Sequence, residues 1–392
     1  MIFDTSTKYT IMIAIFMSKY MKTNKLDGSP TKEFIINTIT KDISIEAAIF
    51  DFIDNSINAA EKITNPKRLQ GYGVWIEINK DCFVITDNCG GISKDKVFKG
   101  AFRIGSSSDY KAGYGIGLKR AFLKFGKNII IESNREDYSC KIIVNVDEWG
   151  SNNKWEFDST KTNYIGEEPE GFKIIINNLY NDIRNTLLKN TFINKLIKRI
   201  ATRYRYKLKN NFSISINGQD IIPKFINGKI IEDSPYRIFN GISVKVKLFL
   251  NNLNKDNGWD IIINGRCIVE RDKTKVTQWK RRLICKGCSY DNFVGEVLIE
   301  CDNIKKLPLL STKDGIDVDS RSYEKILNYM YEVIERHRDK FRKDEVIIQY
   351  TRPSNQIEIL KEHFHGAKNA REVGEDSFDS ALNRATLDYG NN

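Results

Sequence analysis

The sequence predicts an α+β protein of two domains. Three observations carry this. Apolar residues recur at spacings of three and four over Ser44–Lys62, the period of a helix lying on a core. Short apolar runs bounded by turn residues flank a Gly- and Ser-rich stretch, Gly105–Gly117, as in a sheet interrupted by a loop. A basic helical stretch, Ile183–Leu208, then separates this block from a second set of strands and a closing helix.

In the first helix Ile45, Ala48, Ile49, Phe52, Ile53 and Ile57 form the apolar stripe. Strands are expected at Val74–Ile78 and Phe83–Thr86, and a short helix at Lys94–Phe102. After the glycine-rich loop a helix is expected from Gly117 to Phe125. Strands at Asn128–Glu132, Cys140–Val146 and Phe172–Ile176 complete the first sheet. Beyond the connector, Phe212–Asn217, Ile242–Phe249, Trp259–Asn264 and Phe293–Ile299 read as the second set. The last helix, Arg321–Lys343, carries Tyr323, Ile326, Leu327, Met330, Val333 and Ile334 on one stripe, suited to core or dimer packing. The implied organisation is an extension at 1–25, domains at 26–210 and 211–345, and a polar tail at 346–392.

The chain of 392 residues is long enough for a substantial core. Its formal charge of +11 admits two readings: a polyanionic partner such as a nucleic acid, or a Lys-, Ile- and Asn-rich composition that raises basicity without building a site. The basic run Lys195–Lys209, interleaved with Tyr204 and Tyr206, poses the same choice between a nucleic-acid track and a solvated connector. Seven scattered cysteines point to reduced thiols and a cytoplasmic location, and the lone CxxC, Cys285 and Cys288, lacks the second pair a zinc site needs. The apolar run Ile11–Met17 is too short to span a bilayer, so no membrane is expected as a partner. It reads equally as an extension, a docking segment or residues upstream of a later start.

Three constellations bear on chemistry. Asp51 and Asn55 lie four apart and share a helix face, where a carboxylate and a carboxamide could hold a water and a metal-bound phosphate. The bland alternative is a polar face making local hydrogen bonds. Next, an apolar strand runs into Asp87-Asn-Cys-Gly-Gly91-Ile92. An acid at a strand end can accept from a base amino group, and glycines admit a ring closely; an ordinary turn would look alike. Third, Gly113-Tyr114-Gly115-Ile116-Gly117 precedes a helix start, where backbone amides favour phosphate. Ser106, Ser107 and Ser108 lie upstream on the same loop and could cap or close over phosphates, which makes Ser106 and Ser107 candidate nucleotide contacts. The motif lacks the preceding strand of a dinucleotide fold and the ending of a Walker loop.

In this order, and followed by the strand after Gly171, the motifs resemble the GHKL superfamily, which includes gyrase B, heat-shock chaperones, histidine kinases and MutL. The likeness spans Leu26 to Leu208. Ile53-Asp-Asn-Ser-Ile57 and Tyr114-Gly-Ile-Gly-Leu-Lys119 are most similar to MutL and MORC-type ATPases. The resemblance implies a Bergerat-type α/β sandwich that binds ATP, followed by a smaller α+β transducer-like domain. It implies that Asn55 holds magnesium, Asp87 reads the adenine amino group, Gly91 and Ile92 let the base pack close, and Gly113 through Gly117 with Leu118 and Lys119 wrap the phosphates. Asp51 stands where the family usually has a Glu that polarises the attacking water. Cys89 replaces a glycine, and Phe172 a threonine. Leu307-Pro-Leu-Leu-Ser-Thr-Lys313 resembles the loop that brings a lysine to the γ-phosphate, and Asn264-Gly-Arg266 resembles a structural hairpin of similar second domains. The implied activity is slow, magnesium-dependent ATP hydrolysis coupled to lid closure and homodimerisation, with DNA repair, restriction or phage defence as settings. The alternatives are a non-hydrolysing ATP-dependent switch or a chaperone-like binder of a protein partner. His337, His363 and His365 lack a phospho-acceptor context, which speaks against a histidine kinase.

Overall fold

A computed structural model of the protein describes Met12 and residues 29–64, 68–103, 117–152, 154–164, 166, 169–250, 257–283, 288–310 and 313–341. Ser106, Ser107, Gly113, Tyr114, Gly115 and Ile116 lie outside the described residues, as do the tail and, Met12 apart, the Ile11–Met17 run.

Ser44 starts the first long helix, its Oγ accepting the Ala47 amide at 3.1 Å. Helix α1 then runs Ile45–Ile63. Its stripe of Ala48, Ile49, Phe52, Ile53 and Ile57 is buried against sheet residues Phe83, Ile85, Ile129, Ile131, Ile174 and Ile176. Each such large apolar side chain contributes about 1.5–3 kcal/mol of burial.

That sheet has eight strands: β1 (Gly73–Ile78), β2 (Cys82–Asp87), β3 (Gly126–Asn134), β4 (Ser139–Asn145), β5 (Asp158–Thr162), β6 (Gly171–Leu179), β7 (Ser213–Ile216) and β8 (Gln219–Asp220). Their order is β5-β4-β3-β6-β2-β1-β7-β8. Neighbours are antiparallel except β1 and β7, which run parallel with Gly73 opposite Ser213. Helix α2 (Gly117–Phe125) packs beside α1 and leads directly into β3.

The connector is not one helix. It divides into α3 (Asn181–Leu187), α4 (Asn190–Arg203) and α5 (Arg205–Lys209). The second break falls at Tyr204, which leaves helical geometry at φ −105° and ψ 16° and is wholly buried. Phe212–Asn217, read from the sequence as opening the second set of strands, instead supplies β7. The first sheet therefore continues past residue 210. Alternating Ser and Ile identify a strand but not the sheet it joins.

The second sheet has six strands: β9 (Lys229–Asp233), β10 (Arg237–Phe239), β11 (Ile242–Leu250), β12 (Gly258–Ile263), β13 (Arg266–Asp272) and β14 (Phe293–Glu300). The order is β10-β11-β14-β12-β13, with β9 also paired to β11. Asn264 and Gly265, both at positive φ, turn β12 into β13, which is the hairpin geometry such a pair favours. Helix α6 (Arg321–Glu335) buries all six residues of its predicted stripe in this domain's core and stops short of Lys343. The expected helix at Lys94–Phe102 is a short turn, Lys94–Lys96, continued by a π-helical turn at Val97–Ala101. Cys82, Cys89, Cys140, Cys267 and Cys301 are free thiols, whereas Cys288 is disulfide-bonded, against the expectation of reduced thiols. Among the described residues no helix is long and apolar enough to cross a membrane.

Candidate active site

Helix α1 is the centre of the site. Asn55 donates its Nδ2 to the Asp51 carbonyl at 2.7 Å, a bond closed over one helical turn. This fixes one end of the exposed amide; its Oδ1 is a hard oxygen acceptor. The Asp51 carboxylate lies against the first residue of α2. A Cβ on Gly117 would stand 3.1 Å from its carboxyl carbon and 3.2 Å from each oxygen, so glycine keeps that approach open. Arg120, one turn into α2, grips Asp51 with Nε at 3.0 Å and a terminal nitrogen at 2.9 Å. Both contacts fall on Oδ2, which leaves Oδ1 to accept a proton. Burial pushes the Asp51 carboxyl up to about 6; Arg120 pulls against that rise, Asp54 adds to it, and Lys313 opposes it.

The turn after β2 is fixed from three sides. Asp87 Oδ2 accepts from Ser56 Oγ of α1 at 2.6 Å, and Oδ1 accepts the Cys89 and Phe172 amides at 3.0 and 3.2 Å. Burial raises the Asp87 carboxyl, and these three donors pull it back. Phe172 thus serves through its backbone, while the Ser56 hydroxyl supplies a side-chain donor that the sequence reading did not single out. Gly91 sits at φ +57°, and a Cβ there would meet the Asn134 carbonyl at 2.7 Å. Ile92 donates its amide to Ser133 Oγ at 2.7 Å. Cys89 is a buried filler whose thiol is driven far up by that burial.

On α2, Leu118 packs partly buried on the core, and Lys119 is buried, which alone pulls its ammonium down to about 8. Lys313 comes from the second domain. It stands at φ +60° in a loop closed by the Leu309–Ile316 bridge. Burial lowers its ammonium; Asp54 and Asp51 hold it up, and Arg266 and Arg120 press it down. Two carboxylates of α1 and the loop of a separate sheet thus share one electrostatic neighbourhood.

Residues 43–174 match the family model of the histidine kinase-, DNA gyrase B-, and HSP90-like ATPases. This segment is a GHKL-superfamily ATPase domain. Among curated proteins none matches the chain. The GHKL match covers α1, the Asp87–Ile92 turn and the start of α2, and ends within β6. ATP binding follows from membership. The chemistry of the GHKL donor set also fits a magnesium nucleotide. Asn55 offers an amide oxygen, the kind of hard donor that could contribute one ligand to a magnesium ion otherwise held by phosphate and water.

The basic run proves to be neither a nucleic-acid track nor a solvated face over Arg203–Lys207. Tyr204 Oη donates to Asp54 Oδ1 at 2.9 Å, and Arg205 pairs with Asp260 at 2.8 Å and Glu296 at 2.6 Å. Tyr206 Oη donates to Glu296 at 2.5 Å, and Lys207 pairs with Glu61. Arg203, Tyr204, Arg205 and Lys207 are buried in these contacts, which no periodicity argument could have placed.

Proposed function

We propose that the chain is a cytoplasmic, magnesium-dependent ATPase that hydrolyses ATP slowly and couples turnover to closure of the Gly105–Gly117 loop and to homodimerisation. The observation that carries this reading is that one carboxylate, Asp51, lies against Gly117 and is ion-paired with Arg120, both of α2, and lies within the electrostatic reach of Lys313 from the second domain. Asp51 would orient and deprotonate the attacking water through Oδ1 while Arg120 holds its orientation through Oδ2. A carboxyl that titrates near 6 is ionised at neutral pH yet basic enough to take a proton. Lys313 and Lys119, whose ammonium at about 8 still carries its charge at neutral pH, would stabilise the charge developing on the transferred phosphoryl group. Asp87 and Gly91 would receive the adenine. Magnesium, when bound through Asn55, supplies charge neutralisation between the phosphates. The wording shared with MORC and MutL extends the reading to DNA as client.

Asp51→Asn should keep ATP affinity by calorimetry and abolish phosphate release; an unchanged rate would remove Asp51 from the chemistry. Asp87→Ala should abolish binding, and retained affinity would refute the pocket. A non-hydrolysing switch is the second reading, favoured by the Asp in place of the longer Glu. Sustained magnesium-dependent turnover by the unaltered protein excludes it.

A further inference from the structure

Helix α1 carries two adjacent polar stripes. Asp51 and Asn55 form the one that faces the nucleotide site. Asp54, Asn58 and Glu61 form the other, one residue round the helix, and among the described residues their ion pairs and side-chain hydrogen bonds run to the connector and the second sheet. Arg266, the first residue of β13, reaches across to it. Its Nε lies 2.9 Å from Asp54 Oδ1, and a terminal nitrogen donates to Asn58 Oδ1 at 2.6 Å. The same nitrogen lies 3.4 Å from the Asp54 carbonyl. Tyr204 adds its hydroxyl to Asp54 and to the Phe50 carbonyl at 2.9 and 3.2 Å. Arg203 stands 3.9 Å from the other Asp54 oxygen.

Asp54 is only 5% exposed and is enclosed by these cations. A buried carboxylate ion-paired with an arginine has little freedom to shift, because moving it strands a charge. Beside this contact the two domains part around a cleft of about 630 Å³ lined by Asn58, Glu61, Lys207, Asn264 and Arg266. Tight apolar packing therefore does not continue from α1 to the β12–β13 hairpin at this point. A few directed polar contacts make the link.

We propose that Asp54 and Arg266 are positioning residues for phosphoryl transfer: the Arg266 fork on Asp54 and Asn58 sets the second sheet against α1, and with it the reach of Lys313 toward the nucleotide held beside Asp51. This rests on the ATPase reading. Lys313 belongs to the domain that Arg266 anchors, and Asp51 and Asn55 lie on the helix it anchors to. The chemistry needs the two brought together to within a fraction of an ångström, and a misplacement of about 1 Å by a remote change can lower a rate by up to about a hundredfold. Adenine binding depends on Asp87 and Gly91, neither of which touches the clamp.

The test is steady-state phosphate release with calorimetric ATP affinity. Arg266→Gln should lower kcat by about tenfold or more while KM for ATP stays within about threefold, since only positioning is lost. Arg266→Lys, which keeps the charge but not the fork, should recover part of the rate. Asn58→Ala removes the second acceptor without stranding a charge, so it carries the test if Arg266→Gln does not fold; its kcat should fall about two- to fivefold. Wild-type kcat in Asn58→Ala together with Arg266→Gln, or losses confined to KM, would overturn the proposal. Absence of turnover in the unaltered protein would instead overturn the ATPase reading, and this inference with it.

Discussion

At the scale of single residues, Asp51 is held in a costly charge state. Its folded-state pKa, about 6, lies above the ordinary value of 3.8, so protonation favours the fold. The stabilising contribution of the protonated form is complete below about pH 4 and is lost as pH rises through about 6. Asp51→Asn removes that dependence. Its stability relative to the unaltered protein should therefore improve by about 2–3 kcal/mol between about pH 4 and about pH 8, measured by urea unfolding at each pH. A constant difference across that range would show that the carboxylate is not buried at this cost. Asp51, Asn55, Asp87 and Gly91 could be singled out as candidates from the sequence because each sits in a short motif. Ser56, Arg120 and Arg266 could not. Their partners lie 31, 69 and 208 residues away, distances over which no local pattern reports.

At the scale of elements, apolar periodicity located α1 and α6 and short apolar runs located most strands, because burial imposes both, while α2 was placed by the glycine loop before it. It failed where polar residues are buried or where strands are polar. β5, with sequence Asp-Ser-Thr-Lys-Thr, is exposed throughout at a sheet edge and offered no alternation to read. The connector read as one basic helix because a sequence cannot show that its cations are neutralised by Asp54, Glu61, Asp260 and Glu296. Arg205, 1% exposed, sits between Asp260 and Glu296, both buried. Arg205→Met should leave Glu296 uncompensated and destabilise the fold by about 3–5 kcal/mol in denaturant unfolding. A loss below about 1 kcal/mol would mean that the pair is solvated in solution.

At the scale of the whole molecule, the two sheets meet at α1 and the connector, so what one domain binds the other can register. The GHKL fold was legible from motif order alone, and the second sheet from its strand set. If ATP draws the protein into a dimer, a non-hydrolysable analogue should double the 45.3 kDa solution mass by light scattering, with magnesium required. An unchanged mass at saturating analogue would confine the nucleotide's effect to a single chain.

The parallel pairing of β1 with β7 also governs the order in which the molecule can be made. β1 is synthesised early, but its outer neighbour begins only at Ser213, after α3, α4 and α5. On the ribosome the ATP-binding sheet must wait for that strand with an open edge, the arrangement that invites pairing with another nascent chain. Ending translation at residue 210 should therefore give aggregated protein, while ending it at residue 228, beyond β8, should give a soluble first domain by sedimentation. A soluble 210-residue product would show that β1 can bear its edge unpaired.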